Sequence, residues 1–275
     1  MPRYYLICIF LSVPLFINGQ HVADSLFAAG DYLAARVEFE RMVFAAAHPR
    51  EAQFALLRKS QCFKAQGDFA NAYQTLQRIA EDENNTQLKA AITYEKAFVA
   101  FLNNKSDVAL GHLQEWQYYF PDTTVQILKV IEILSLNDLH RWSEAQEKFS
   151  TYAKTFQPIL DSSIYEEMLN YKPRHPAKAE LLSMLLPGLG QMYSGSFFKG
   201  LTSTAVNGSF VLFAIYNFTN GFILSGAFTG VALFYIFYTG GASYARSLAE
   251  KKNEEVYAGF NNLIKNQLLS GVQKK

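Results

Sequence analysis

The chain has 275 residues, of which 50% are hydrophobic, and its 25 lysines and arginines nearly balance 24 aspartates and glutamates. This balance argues against a nucleic-acid-binding protein, which normally carries a basic face. The length allows one or two domains, and the apolar residues are concentrated at the N-terminus and in the region 181–245.

The first predicted element is an export signal. Arg3 supplies a positive charge, the apolar run YYLICIFLSVPLFI comes next, and small Gly19 stands at a suitable cleavage position before Gln20. This order is typical of a secretory signal peptide over residues 1–19. An uncleaved anchor helix is the alternative, and either form exports the rest of the N-terminal half. After cleavage, Cys62 is the only cysteine and has no partner for an internal disulfide.

Residues 20–160 form a predicted repeat domain. Large apolar residues lie four positions after small alanines that recur at intervals of 37, 37 and 36 residues: Ala35 and Phe39, Ala72 and Leu76, Ala109 and Leu113, and Ala145 and Phe149. Before each alanine stands a residue that tolerates a left-handed turn: Gly30, Gly67, Asn104 and His140. In three of the four repeats an aromatic residue follows two positions later: Tyr32, Phe69 and Trp142. The pattern predicts helical hairpins, because the turn ends one helix and the alanine lets the next approach closely.

This pattern resembles the tetratricopeptide repeat over roughly residues 22 to 157, with a period slightly longer than usual. The resemblance implies an all-α solenoid with a concave surface, which in family members binds extended peptides or partner helices. Six aromatic residues either line such a groove or pack between repeats: Tyr94, Phe98, Trp116, Tyr118, Tyr119 and Phe120.

Composition changes after the repeats. Residues 161–179 are predicted to be a linker, because Pro173 and Pro176 interrupt any helix there. From 181 to 245 the only charged residue is Lys199. Two apolar segments of 18 residues, 201–218 and 222–239, are separated by the sequence TNG. They predict a transmembrane helical hairpin within a membrane domain over 180–245.

Small and polar residues indicate how this hairpin packs. Gly226 and Gly230 form a face of small residues four positions apart, and their natural partners on the first span are Gly208, Ala205 and Ser209. Asn207 is a strongly polar side chain inside the first span. It is predicted to hydrogen-bond across the hairpin or to a second copy of the chain, which would form a homo-oligomer.

A glycine-rich stretch precedes the hairpin. Its residues, here called the PGLGQ motif, are Pro187, Gly188, Gly190, Gln191, Tyr193, Gly195, Lys199 and Gly200. They resemble the start of TM2-type membrane modules and of related bacterial families of unknown function. The sequence TNG differs from the polar, acidic connection common in TM2-type modules, so the resemblance implies no shared ligand. The motif predicts an interfacial helix that stops at Pro187 and turns into the bilayer.

The sequence allows more than one number of membrane spans and more than one position for the C-terminal tail. Two spans place the basic residues around the hairpin outside, against the positive-inside tendency, whereas a third span over 181–198 would place them in the cytoplasm. The helix-breaking glycines and the resemblance favour two spans. Residues 246–275 predict an amphipathic tail helix that lies on the bilayer, docks on the repeats or pairs with another subunit, and its apolar residues are Val256, Phe260, Leu263, Ile264 and Leu268.

The sequence carries no set of residues typical of an enzyme. Its five histidines lack metal-ligand spacing, and no nucleophile motif or cofactor-binding loop is present. These features favour a non-enzymatic envelope scaffold or adaptor without metal or cofactor, held in the inner membrane, whose periplasmic repeat domain binds a protein or peptide. The alternative is that the hairpin is the functional module, by oligomerisation or by binding a membrane protein or lipid, with the repeat domain as a regulatory cap.

Overall fold

The computed structural model describes residues 21–80, 86–123, 125–157 and 160–272. The predicted signal peptide, 1–19, lies outside them. The described residues fold into helices with no β-strand among them, which confirms the all-α prediction at that level. The chain divides into two compact units, the first made of Met1–Tyr165 with Gln267–Lys275 and the second of Glu166–Asn266.

The first unit is a succession of helices, each packed against the next from α2 onward. The odd-numbered helices α3, α5 and α7 also contact one another in turn. The described helices are α1 (21–28), α2 (Tyr32–Ala45), α3 (Pro49–Ala65), α4 (Phe69–Gln77), α5 (Thr86–Leu102), α6 (Ser106–Tyr119), α7 (Gln126–Asp138) and α8 (Trp142–Phe156), followed by a 3₁₀ turn, Ser162–Tyr165.

The turns between paired helices share one conformation. The backbone is left-handed, with φ of 80°, 75°, 55° and 56°, at Gly30, Gly67, Asn104 and His140. Glycine adopts it without steric cost and asparagine is among the next most tolerant residues. The Asp31 and Asp68 carboxylates then accept hydrogen bonds from the backbone N–H of Ala34 at 3.1 Å and Asn71 at 3.2 Å. These caps fix where α2 and α4 begin.

The core of the first unit lies along the repeating positions. All four alanines of the repeat are fully buried, and the large apolar residues four positions later are buried with them: Phe39, Leu76, Leu113 and Phe149. The Phe149 ring packs on Tyr165 with centroids 5.4 Å apart, and the Tyr165 hydroxyl donates to Asn137 Oδ1 at 3.1 Å. The predicted linker 161–179 therefore begins inside this core, because Tyr165 completes it.

The aromatic residues of α5 and α6 divide into two groups. Tyr94, Phe98, Trp116 and Phe120 are half-buried and stack on one another between the two helices, with Trp116 and Phe120 centroids 4.8 Å apart. Two others are exposed, Tyr118 and Tyr119. Most of this set therefore serves packing between helices.

The second unit begins with short helices. In chain order its helices are α9 (Glu166–Asn170), α10 (Pro176–Leu185), α11 (Leu189–Tyr193), α12 (Phe197–Thr219), α13 (Ile223–Ser225), a π-helical turn (Gly226–Val231) and α14 (Ala232–Val272). The segment 181–198 is divided between α10 and α11 with a break at Leu186–Gly188, so a third span there has no continuous helix.

One helix in the described part of the chain is long and apolar enough to cross a membrane. It runs over Ile223–Ser270, and its most apolar 18-residue window has a mean hydropathy of 1.5. α12 contains the first predicted span and has 23 residues, but its serine, threonine and asparagine side chains lower its hydropathy. The same long helix continues into the predicted tail, 246–275, as far as Val272, and in it Phe260 and Ile264 are buried and Leu263 is exposed.

The packing of α12 against the next helix corrects one prediction. A Cβ at Gly230 would lie 2.5 Å from the Ala214 Cβ, and one at Gly226 would lie 3.0 Å from the Phe218 ring. Gly208 has no such neighbour within 4 Å, so its predicted pairing with the two glycines is wrong. The short turn places Gly226 and Gly230 against the C-terminal part of α12. Gly208 lies nearer the middle of α12 and is therefore too far away to contact them.

Candidate functional site

An exposed apolar groove lies on the first unit. It has a volume of about 390 Å³ and is formed by α2 and α3. Leu33, Val37 and Phe44 line it and are 61%, 48% and 82% exposed. These residues share one face of α2, because their spacing follows the helical repeat. Clustered exposed apolar residues mark interaction surfaces, and we call this one the α2–α3 groove.

Charged side chains border the α2–α3 groove. The Arg36 guanidinium lies 4.2 Å from the centroid of the Phe63 ring, a cation–π contact. No carboxylate of the described residues lies within 4 Å of it. Glu40, by contrast, is held by Lys59 Nζ at 2.7 Å and by the Arg78 guanidinium at 2.8 Å. The charge of Glu40 is thus neutralised, and that of Arg36 is available to a ligand.

Glu40 makes the stability of the first unit depend on pH. The hydrogen bond from Arg78, with a further one from Lys59, lowers the pKa of Glu40 from 4.5 to about 2. A lowered folded-state pKa gives stability that is present above pH 4.5 and lost as the pH falls towards 2. We expect Glu40→Gln to lose about 1 kcal/mol at neutral pH, since the pair is near the surface, and almost nothing near pH 2.

Tryptophan fluorescence of the full-length protein in detergent measures this difference. Both tryptophans, Trp116 and Trp142, lie in the first unit, so their emission follows its unfolding. Glu38→Gln is the matched control, because Glu38 pairs, among the described residues, with Arg41 of its own helix alone. A loss in Glu40→Gln that stays constant across the pH range would contradict the proposed ion pairs.

Other titratable groups of the first unit serve packing. Burial raises the pKa of the Cys62 thiol to about 11, so it is protonated at neutral pH. Tyr73 Oη lies 3.0 Å from His112 Nε2, and His112 Nδ1 lies 3.2 Å from Glu115. This chain of polar side chains links α4 to α6, and the repeat spacing did not predict it. No cluster of three potential metal ligands occurs among the described residues.

The glycines of the PGLGQ motif allow short helices to approach one another. A Cβ at Gly190 would lie 1.8 Å from the Ala179 carbonyl oxygen, and one at Gly188 would lie 2.2 Å from that of Gly200. Gly188 is also left-handed, with φ of 98°. A Cβ at Gly200 would meet Met192 Cγ at 2.4 Å. The sequence predicted a turn here, and the structure adds close backbone contacts between α10, α11 and α12.

Gln191 is the centre of a buried polar network. Its side chain is 1% exposed, accepts from Ser183 Oγ at 3.0 Å and donates to the Gly241 carbonyl at 2.9 Å. The Gly190 N–H donates to Ser183 Oγ at 3.0 Å. These bonds join α10, α11 and α14. They also provide hydrogen-bond partners for the polar groups at the helix break, which would be costly to leave unpaired in an apolar environment.

The remaining motif residues extend this network. The Pro187 carbonyl accepts from Thr204 Oγ1 at 2.5 Å, and the Tyr193 hydroxyl accepts from the His175 N–H at 3.3 Å. Gly195 is left-handed, with φ of 82°, and ends the motif's short helix. The motif therefore has a structural role where α10, α11 and the start of α12 meet.

A second cavity adjoins the motif, between α12 and α14. It has a volume of about 480 Å³ and is mainly apolar. Lys199, Ser203 and Asn207 line it at intervals of four residues along α12. Lys199 Nζ donates to the Tyr244 hydroxyl at 2.9 Å. We call this space the α12–α14 cavity.

Asn207 is the buried polar residue of this cavity. It is 2% exposed, and its Nδ2 donates to the Ser203 carbonyl of its own helix at 2.8 Å. Its Oδ1 is buried without a hydrogen-bond partner among the described residues. Asn207 therefore bonds within α12 and not across to the next helix among the described residues, and its predicted bond to a second copy of the chain stays a prediction.

The comparisons with known proteins add no family to this description. The sequence matches no protein-family model, and no curated protein or solved structure is significantly similar to it.

Proposed function

We propose that this protein is a membrane-anchored adaptor of a bacterial cell envelope. Its first unit, a tetratricopeptide-like solenoid, is exported to the periplasm and binds a protein or peptide. Its second unit, with two transmembrane helices behind a TM2-like motif, holds it in the inner membrane. The α2–α3 groove carries this proposal, because Leu33, Val37 and Phe44 are exposed around the unpaired guanidinium of Arg36.

The groove defines the chemistry of the partner. An apolar side chain would cover the exposed face of α2, and a carboxylate would reach Arg36. The contact with Phe63 holds the guanidinium in place, and a guanidinium binds a carboxylate through two parallel hydrogen bonds. The partner is therefore an apolar segment that carries an acidic residue or a C-terminal carboxylate. Anchoring raises the effective concentration of that partner at the membrane.

Photo-crosslinking from the groove tests the proposal. With benzoylphenylalanine in place of Phe44 in the full-length chain, we expect one discrete adduct in membranes. The charge reversal Arg36→Glu should reduce its yield about tenfold, because like charges repel at a contact. The control carries the same photo-reactive residue at Tyr118, which is 79% exposed and outside the groove. Equal adducts from both positions, or an adduct insensitive to Arg36→Glu, would contradict an adaptor role for the groove.

The second candidate function places the activity in the helical hairpin. The α12–α14 cavity, with its unpartnered Asn207 Oδ1, favours it. In that case the partners recovered from gently solubilised membranes would be retained in Arg36→Glu and lost in Ser203→Leu, which fills the cavity. An adaptor that acts through its repeats predicts the opposite pattern.

A further inference from the structure

We propose that the α12–α14 cavity binds an anionic lipid that carries a hydrogen-bond donor beneath its headgroup. This inference rests on the membrane anchoring proposed above. The volume of about 480 Å³ is within the range of ligand pockets, which are mostly apolar with a few polar groups. Val206, Ile236 and Phe237 supply apolar walls for an acyl chain, and a Cβ at Gly240 would have no neighbour within 4 Å.

Lys199 sets the charge of the ligand. It is the only charged residue from 181 to 245, and it belongs to the PGLGQ motif and stands near the start of α12. Its ammonium group bonds to the neutral hydroxyl of Tyr244, and no carboxylate of the described residues lies within 4 Å. Glu255 interacts with this charge only over a longer distance, and a lysine at the edge of a bilayer extends into the headgroup region, where anionic lipids attract it. A lipid phosphate would neutralise it and accept its remaining N–H bonds.

Asn207 adds a requirement for a donor. It follows Lys199 by eight residues on α12, which places it about 12 Å further along the helix. Its buried Oδ1 can only accept a hydrogen bond, and no described residue donates one. A lipid with a hydroxyl or amide N–H below its phosphate supplies that donor, with Ser203 between the two ends of the cavity. Phosphatidic acid offers only acceptors below its phosphate.

The same charge argues against a second copy of the chain as the occupant. A symmetric dimer through this face would bring the two Lys199 side chains towards each other, since the same surface is used twice. Like charges repel strongly where water is excluded. An anionic lipid has the complementary charge.

Native mass spectrometry of the full-length protein in detergent tests the site. The probes are ceramide 1-phosphate, which has a phosphate, a hydroxyl and an amide N–H, phosphatidic acid, which lacks the donors, and zwitterionic phosphatidylcholine. We expect affinity to fall in that order. Lys199→Gln should weaken both anionic lipids about tenfold, and Lys199→Arg should retain them. Asn207→Leu should remove an advantage of about fivefold for ceramide 1-phosphate over phosphatidic acid.

Matched controls and a membrane assay separate the outcomes. Lys251→Gln removes an exposed charge from α14, and Asn217→Leu makes the same change elsewhere on α12, and neither should alter the order. Equal binding of the three lipids, equal effects of controls and cavity variants, or a dimer insensitive to lipid would overturn the lipid site. Extraction of the protein from membranes by alkaline carbonate would overturn the anchoring proposal as well, whereas a membrane-resident protein without lipid preference overturns only this site.

Discussion

Gly190→Ala is expected to unfold the start of the second unit. The added Cβ would lie 1.8 Å from the Ala179 carbonyl oxygen and 2.5 Å from Ser183 Oγ, and a backbone carbonyl cannot move aside as a flexible side chain can. Overpacking of this kind costs about 3 kcal/mol or more. The Ser183–Gln191 network would be lost with the contact between α10 and α11.

Hydrogen–deuterium exchange of peptides from α10 and α11 measures this effect in the full-length protein in detergent. A loss of about 3 kcal/mol predicts exchange about a hundredfold faster. Gly208→Ala is the matched control, because a Cβ there has no neighbour within 4 Å and alanine favours the helix. Exchange that is unchanged in Gly190→Ala would show that these helices do not approach as closely as described.

Phe39→Ala is expected to be the most destabilising single change in the first unit. Its side chain is fully buried beside Ala35 and Met42, and deletion of a buried phenylalanine side chain costs about 3–5 kcal/mol. Phe44→Ala lies on the same helix but removes a side chain that is 82% exposed. We expect it to change the free energy of unfolding by less than about 0.5 kcal/mol.

Tryptophan fluorescence during denaturation compares the two variants directly, since both tryptophans report on the first unit. Phe44→Ala should retain the stability of the natural protein but bind the partner more weakly. Phe39→Ala should unfold at a lower denaturant concentration than either. Similar losses of stability in both variants would mean that α2 does not present the faces described above.

The helices of the first unit follow from local features of the sequence. A left-handed turn residue and a small alanine, joined in two of the four repeats by an aspartate cap, act within a few residues of one another, so their spacing predicts where each second helix begins. His140 shows the strength of this pattern, because it adopts a φ of 56° without being glycine or asparagine. Contacts between helices of different repeats join residues far apart in sequence. The repeat pattern does not predict them, and they are visible only in the structure.

The candidate sites were harder to predict, because they depend on residues distant in sequence. Arg36 and Phe44 lie on the outward face of α2, while the repeat pattern describes only the inward face. Gly208 was predicted to pack against Gly226 and Gly230. The length of the turn after α12 sets which residues of the two helices face each other, and it places those glycines against Phe218 and Ala214. The glycines of the PGLGQ motif were recognised as helix breakers, but the contact of Gly190 with Ala179 is a property of the folded chain.

Membrane attachment together with the exposure of the first unit is the most direct test of the adaptor proposal. Tyr118→Cys gives the full-length protein an exposed thiol, whereas Cys62 is buried and should remain unlabelled. In cells with a permeable outer membrane, the proposal predicts that a membrane-impermeant thiol reagent labels position 118 while the protein resists alkaline extraction. Labelling only after the inner membrane is disrupted, or release of the protein by alkali, would contradict it.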